Sequence, residues 1–240
     1  MPSTTVNNLL KVYIRIITII IFLFCNIFMI HDTNSYGYQG ESIIYVIKPL
    51  GGKAEYLDLG LTDLEGRKVK IAVFKTDVLG FKDTEKIYSD PKTLLPIRIE
   101  RDISWWFGKE NITEEYNQRD FKVTITKFKE GKKVSEQILT ADGPISNAIL
   151  VPFYLRKVSD MKVGWSLTFW LPQKCEARLV SLDEIKAGGR EFLTYHFTSI
   201  PDKFEIWISE DDVRIPLKIK GKGSFNYTLL MKEHNMPPAH

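Results

Sequence analysis

Cysteine is nearly absent from this 240-residue chain, which holds only Cys25 and Cys175. If the apolar N-terminal run around Cys25 is removed, Cys175 stands alone and no internal disulfide can form. Histidine is equally scarce. His31 lies in the N-terminal segment, His234 and His240 lie near the C-terminus, and only His196 sits in the body. One histidine and one cysteine cannot build a zinc site, which takes three or four such ligands. No metal and no cofactor is therefore expected. Blocks of one charge are missing too: 33 basic and 30 acidic residues are interspersed, for a net +3. That pattern excludes a nucleic-acid footprint, which is a clustered patch on a more basic domain. There is no Gly-rich phosphate loop, no Gly-x-Ser-x-Gly elbow and no His-Glu-x-x-His helix. No catalytic residue is assigned, and the chain reads as a non-enzyme. Glu114-Glu115 alternate to opposite faces of a strand, Glu210-Asp211-Asp212 fall in a turn, and His196 reads as a structural residue on a sheet face.

What the sequence does have is alternation. In Pro201–Leu230, Phe204, Ile206 and Ile208 alternate with polar residues, as do Val213, Ile215, Leu217 and Ile219, and then Phe225, Tyr227 and Leu229. A period of two places each set on one face of a strand. Similar runs recur from Ser42 onward, separated by Gly, Pro, Asn and Asp clusters every 8–12 residues. Pro96 inside one run predicts an edge or a bulge. One stretch differs. In Ile145–Val158 the apolar residues recur at helical spacing, with Ser146 placed to cap and Pro152 placed to distort or split the helix. The predicted fold is all-β, or β-rich α+β: an antiparallel meander forming a half-open barrel or sandwich, with one short helical segment around 145–158. Residues 38–232 form a single domain, and 233–240 a disordered tail.

The N-terminus carries a different signal. Lys11 and Arg15 precede the fifteen-residue run Ile16–Ile30, and polar and small residues follow it. This is the pattern of a secretory signal over residues 1–37, so a periplasmic, exported protein is expected. The alternative is an uncleaved inner-membrane anchor facing the periplasm, since Val12–Ile30 is nearly long enough to span; Arg15 inside that window weakens it. Phe24 before Cys25 speaks against lipidation, which needs a small residue there. Membrane contact is expected only through this segment, if it is retained.

Several strands are bulky on both faces. Trp165, Leu167, Phe169 and Leu171 oppose Trp170, and Phe204, Ile206 and Ile208 oppose Trp207. Such a sheet must be covered on both sides, by a helix, another sheet or a ligand. The sequence reading therefore places an apolar cleft at Trp165, Phe169, Trp170, Phe153, Tyr154 and Trp207, for a lipid or other apolar small molecule. The alternative partner is an envelope protein, held by exposed aromatics such as Trp105-Trp106-Phe107 or by a strand edge.

Three stretches, Ile87–Asp102, Gly143–Lys157 and Phe204–Ile219, resemble the bacterial exported family DUF3108, a domain of unknown function. The closing element of that family has the pattern Trp-x-Ser-x-Asp-x-x-Arg-x-Pro, here Trp207, Ser209, Asp211, Arg214 and Pro216; its helical segment ends in Leu-Arg, here Leu155-Arg156. Asn147 stands where a Ser is usual. The resemblance implies an exported β-meander similar to the half-open barrels of lipoprotein carriers, which hold acyl chains between a curved sheet and a helical lid. It brings no catalytic set. Arg156, Asp211, Arg214 and Pro216 are taken as structural, with Asp211 and Arg214 expected as an ion pair fixing a hairpin.

Overall fold

The computed structural model describes residues 40–223 and 226–236. The chain divides into two compact units, Met1–Tyr38 and Gln39–His240, of which the first lies outside the described residues. The expected signal, its cleavage site and Cys25 therefore lie outside them too. Among the described residues no helix is long and apolar enough to cross a membrane.

The alternating runs become fourteen strands. They are β1 (Ser42–Lys48), β2 (Lys53–Leu64), β3 (Arg67–Val78), β4 (Phe81–Ser89), β5 (Pro96–Trp105), β6 (Gly108–Asn117) and β7 (Lys122–Lys129). After β8 (Lys132–Thr140) comes the helix α1 (Val151–Leu155), then β9 (Ser166–Leu171), β10 (Gln173–Ala187) and β11 (Arg190–Ile200). β12 (Phe204–Ser209), β13 (Pro216–Gly221) and β14 (Tyr227–Asn235) complete the set. They form one antiparallel sheet in the order β8-β7-β6-β5-β4-β3-β2-β1-β14-β13-β12-β11-β10-β9. β1 and β14 pair in its interior, and the edges are β8 and β9. Among the described residues the sheet does not close into a barrel, and there is no second sheet.

Local chemistry explains the turns. Glu65-Gly66, Leu79-Gly80, Glu130-Gly131 and Gly188-Gly189 hold both central residues at positive φ. That is the type I′ hairpin, whose twist matches the strands it joins. Pro96 opens β5 beside a bulge at Tyr88/Ser89, as its position in the pattern predicts.

Three details differ from the sequence reading. Val213 is not in a strand: Ser209 and Asp211 side chains bond the backbone after them, Arg214 sits at φ 52°, and β13 starts only at Pro216. The last strand runs on to Asn235, so the tail begins later and His234 lies inside β14. Residues 237–240 lie outside the described part. The helix is five residues, not fourteen, because Asn147 folds the chain into a turn first. Its Oδ1 accepts from the backbone of Ile149 at 2.8 Å and of Leu150 at 3.3 Å, the task expected of Ser146. Pro152 then occupies the first turn, where its missing N–H costs nothing, rather than splitting the helix.

The core lies between one face of the sheet and α1 with the turn before it, and this turn-and-helix segment is what all parts share. Phe153 joins Ile43, Tyr45, Tyr56 and Leu217; Val151 and Leu155 join Phe169, Leu179, Phe197, Ile206 and Ile208; Leu150 joins Ile87 and Ile99. A sheet this open buries its inner face only because the β8–β9 connection fills the concavity.

Candidate functional site

The connection that fills the sheet is held at both ends. At its start Gly143 lies under the Trp170 ring, so close that a Cβ there would meet ring carbons at 2.6 Å. Ile145 forms a parallel bridge to Trp170, and the Ser146 N–H donates to the Trp170 carbonyl at 2.8 Å. The Gln118 amide donates to the carbonyls of Pro96 and Ile145 at 2.8 and 2.9 Å, and its oxygen accepts from the Ile145 N–H at 3.0 Å.

In the middle, Phe153 stacks on Tyr56, ring centroids 3.7 Å apart. At the end, Arg156 reaches Glu41 at 2.6 Å, and His234 Nε2 lies 2.8 Å from the same carboxylate. Glu41 is 4% exposed. Burial opposes its charge, but His234 and Arg156 outweigh that and hold its carboxyl below the usual value. Arg214 donates to the carbonyls of Val158 and Arg156, satisfying groups that the helix end leaves open.

Arg214 is therefore not paired with Asp211. The Asp211 carboxylate accepts from Ser209 Oγ (2.8 Å) and from the backbone of Val213 (3.1 Å) and Arg214 (3.0 Å), which shapes the turn that aims Arg214 at α1. The Pro216 carbonyl accepts from the buried Tyr45 hydroxyl at 2.9 Å. All four residues read as structural sit in this bracing.

Beside α1 the concavity is not completely filled. A groove of about 380 Å³ runs between the β4–β5 loop, α1 and the edge strand β9. Its apolar walls are Leu94 and Leu95, then Leu150, Val151 and Tyr154, then Leu167, Phe169 and Trp170. The Trp170 Nε1 is buried here with no hydrogen-bond partner among the described residues. Of the six residues assigned to the cleft, the structure brings Tyr154, Phe169 and Trp170 to this groove. Phe153 is core, and Trp165 packs edge-on to Phe197 at 6.3 Å. Leu94, Leu95 and Leu150 were not assigned to the cleft; alternation and helical spacing mark them as apolar without saying which surface they share.

Trp207 is elsewhere. It lies on the opposite face of the sheet, stacked on His196 at 4.2 Å, with the Lys218 ammonium 3.8 Å from its ring and its indole N–H on Asp183 at 3.0 Å. The Trp207 hydrogen bond leads the effects that hold the Asp183 carboxyl below its usual range. Ser181 and Asp183 both approach His196 Nδ1, at 3.2 and 3.0 Å, while Nε2 lies 3.5 Å from Glu205. The Ser181 hydroxyl donates to Asp183 at 2.7 Å, Glu205 flanks the other ring nitrogen, and the Trp207 indole covers the ring. The cluster is a brace between β10, β11 and β12. Among the described residues no group of His, Cys, Asp and Glu is placed to hold a metal ion.

No curated protein sequence matches the chain. Among solved structures it is similar to a beta-barrel-like protein of domain of unknown function DUF1849 from Brucella abortus, at 8% identity and a TM-score of 0.46, covering 82% of this chain and 97% of that one. The profile of the family described as protein of unknown function DUF3108 matches residues 61–232, from β2 through the bracing of α1 and on into β14, and the chain belongs to that family.

Proposed function

We propose that this is an exported, periplasmic, non-enzymatic domain that holds a lipid or other apolar molecule in the groove between α1 and β9. The observation that supports the reading is the groove itself. At about 380 Å³ it lies within the usual range of ligand sites, roughly 300–1,000 Å³. Its walls are mostly leucine, valine and aromatic side chains, with Lys92, Thr93, Ser146, Asn147 and Thr168 among them, and a folded domain gains nothing by leaving the apolar part wet. Each ligand methylene buried there contributes about 0.8 kcal/mol, so affinity needs no special polar residue. That is why the site leaves no motif. Export rests on the pattern of residues 1–37.

The test is direct. Residues 38–240 contain all fourteen strands and the whole of the described core. Titrating this protein with a brominated fatty acid should quench Trp170 fluorescence, and Leu167→Asn with Leu150→Asn should weaken binding while a Trp165→Phe control does not. Quenching that is absent, or that is indifferent to the Leu150 and Leu167 changes, overturns the reading.

A further inference from the structure

We infer that the hairpin tips at one end of the sheet form a docking surface for an anionic phospholipid bilayer. In an antiparallel meander alternate turns return to the same end, so the β1–β2, β3–β4, β5–β6 and β7–β8 turns project together. The first three touch. A Cβ on Gly52 would lie 3.0 Å from that of Val78, one on Gly80 would lie 3.6 Å from the Trp106 ring, and Phe81 stacks on Trp105 at 6.2 Å. This crest presents Trp106 at 84% exposure, Phe107 at 76%, Leu79 at 68% and Leu50 at 50%. Turn positions are normally polar, and nothing in the core uses these four side chains.

Charge selects the occupant. Segments 48–53, 77–82, 104–109 and 129–133 hold seven lysines against two carboxylates, a balance of +5. Residues 38–240 as a whole hold 31 basic and 29 acidic residues, so the remainder has 24 against 27 and is net acidic. Lys53, Lys82 and Lys133 pair with Glu55, Asp77 and Glu136, so Lys48, Lys109, Lys129 and Lys132 are the cations that these tips leave for a partner. Exposed lysines on the same tips as exposed apolar side chains match phosphates spread over a soft plane. Tryptophan, with an apolar body and a polar N–H, suits the headgroup boundary. The groove beside α1 is built from the β4–β5 loop and β9, and shares no residue with these tips.

The experiment is flotation of residues 38–240 with vesicles of phosphatidylcholine alone or with one third phosphatidylglycerol. Binding is expected only with phosphatidylglycerol, falling as salt is raised. Trp106→Ser with Phe107→Ser should weaken it at least about tenfold, and glutamine at Lys129, Lys132 and Lys133 should cost at least about tenfold as well. Neither variant should shift the melting temperature, because the altered side chains are exposed, and neither should alter fatty-acid quenching in the groove. Vesicle binding that is absent, salt-independent or unchanged in both variants overturns the inference. So does retention of the wild type, but not of the Trp106/Phe107 variant, on a solubilised envelope protein when vesicles alone capture neither.

Discussion

Replacing Arg156 by methionine isolates what anchors α1. The change removes the guanidinium 2.6 Å from Glu41 and keeps a long side chain over Phe153. Glu41, 4% exposed, then stays charged where water cannot replace the lost partner. Removing one member of a buried pair costs about 3–5 kcal/mol. His234 Nε2 remains 2.8 Å away, so the expected loss here is about 2–3 kcal/mol. Glu41→Gln combined with Arg156→Met should cost less than the two single changes added together, because the second removal strands no charge. Urea unfolding of residues 38–240 followed by circular dichroism reads all three variants.

The pH dependence gives an independent arm. The folded carboxyl of Glu41 lies below the usual 4.5. A lowered acid pKa means that the unfolded chain binds the proton first as pH falls. The pair's stabilisation is then complete above the unfolded value and is lost as pH drops through the folded one. Glu41→Gln should show a smaller acid loss than the wild type. An Arg156→Met cost below about 0.5 kcal/mol, the level of a surface pair, would refute the reasoning, as would strict additivity in the double variant.

Three further outcomes are expected. Gly143→Ala places a methyl 2.6 Å from Trp170 ring carbons; thermal melting should show a loss of about 1–3 kcal/mol, with weaker quenching of the displaced indole. Asp211→Ala removes the acceptor for three donors and should cost about 1–2 kcal/mol, while lysine at Arg214 should lose less. Burial pushes the Glu85 carboxyl up to about 7 against the pull of Arg101. Its folded form therefore binds protons more readily than its unfolded form, so it destabilises increasingly as pH rises from about 4.5 towards 7. Glu85→Gln should raise stability at pH about 8 by roughly 1–3 kcal/mol, an advantage that disappears in acid.

How much of this was legible depends on the range of the interaction involved. The strand Ser42–Lys48 was readable because a compact apolar run is a local signal, and β1 begins and ends where that run does. Val213 was misread because it keeps the alternation of Ile215 and Leu217. Backbone N–H groups donating to Ser209 and Asp211, not hydrophobicity, hold that segment in a turn. Trp207 misled for a related reason. A tryptophan among isoleucines reads as apolar, yet here His196, Asp183 and Lys218 wrap it on the outer face. His234 and Glu41, 193 positions apart, meet only because β1 pairs with β14. No pattern within either strand announces that contact.

The three stretches that carry the family resemblance converge on one task. Ile87–Asp102 supplies Ile87, Leu94 and Ile99, the first and last of which pack with Leu150. Gly143–Lys157 is the segment that enters the concavity, and Phe204–Ile219 supplies the turn that aims Arg214 at its carbonyls. In this chain the three stretches thus meet around α1. Arg156 lies inside the matched residues 61–232, but its partners Glu41 and His234 lie outside them. The last lock on α1, through the first and last strands, is accordingly a feature of this chain rather than of the matched segment. Leu95, Leu167 and Trp170 in the groove walls take no part in the bracing at the α1 C-terminus, so under the proposed lipid-binding reading they set the preference of the groove. Exchanging Leu95 and Leu167 for smaller or larger apolar residues should alter which acyl length binds best and leave urea stability within about 1 kcal/mol. If stability and preference moved together, the groove would be part of the core.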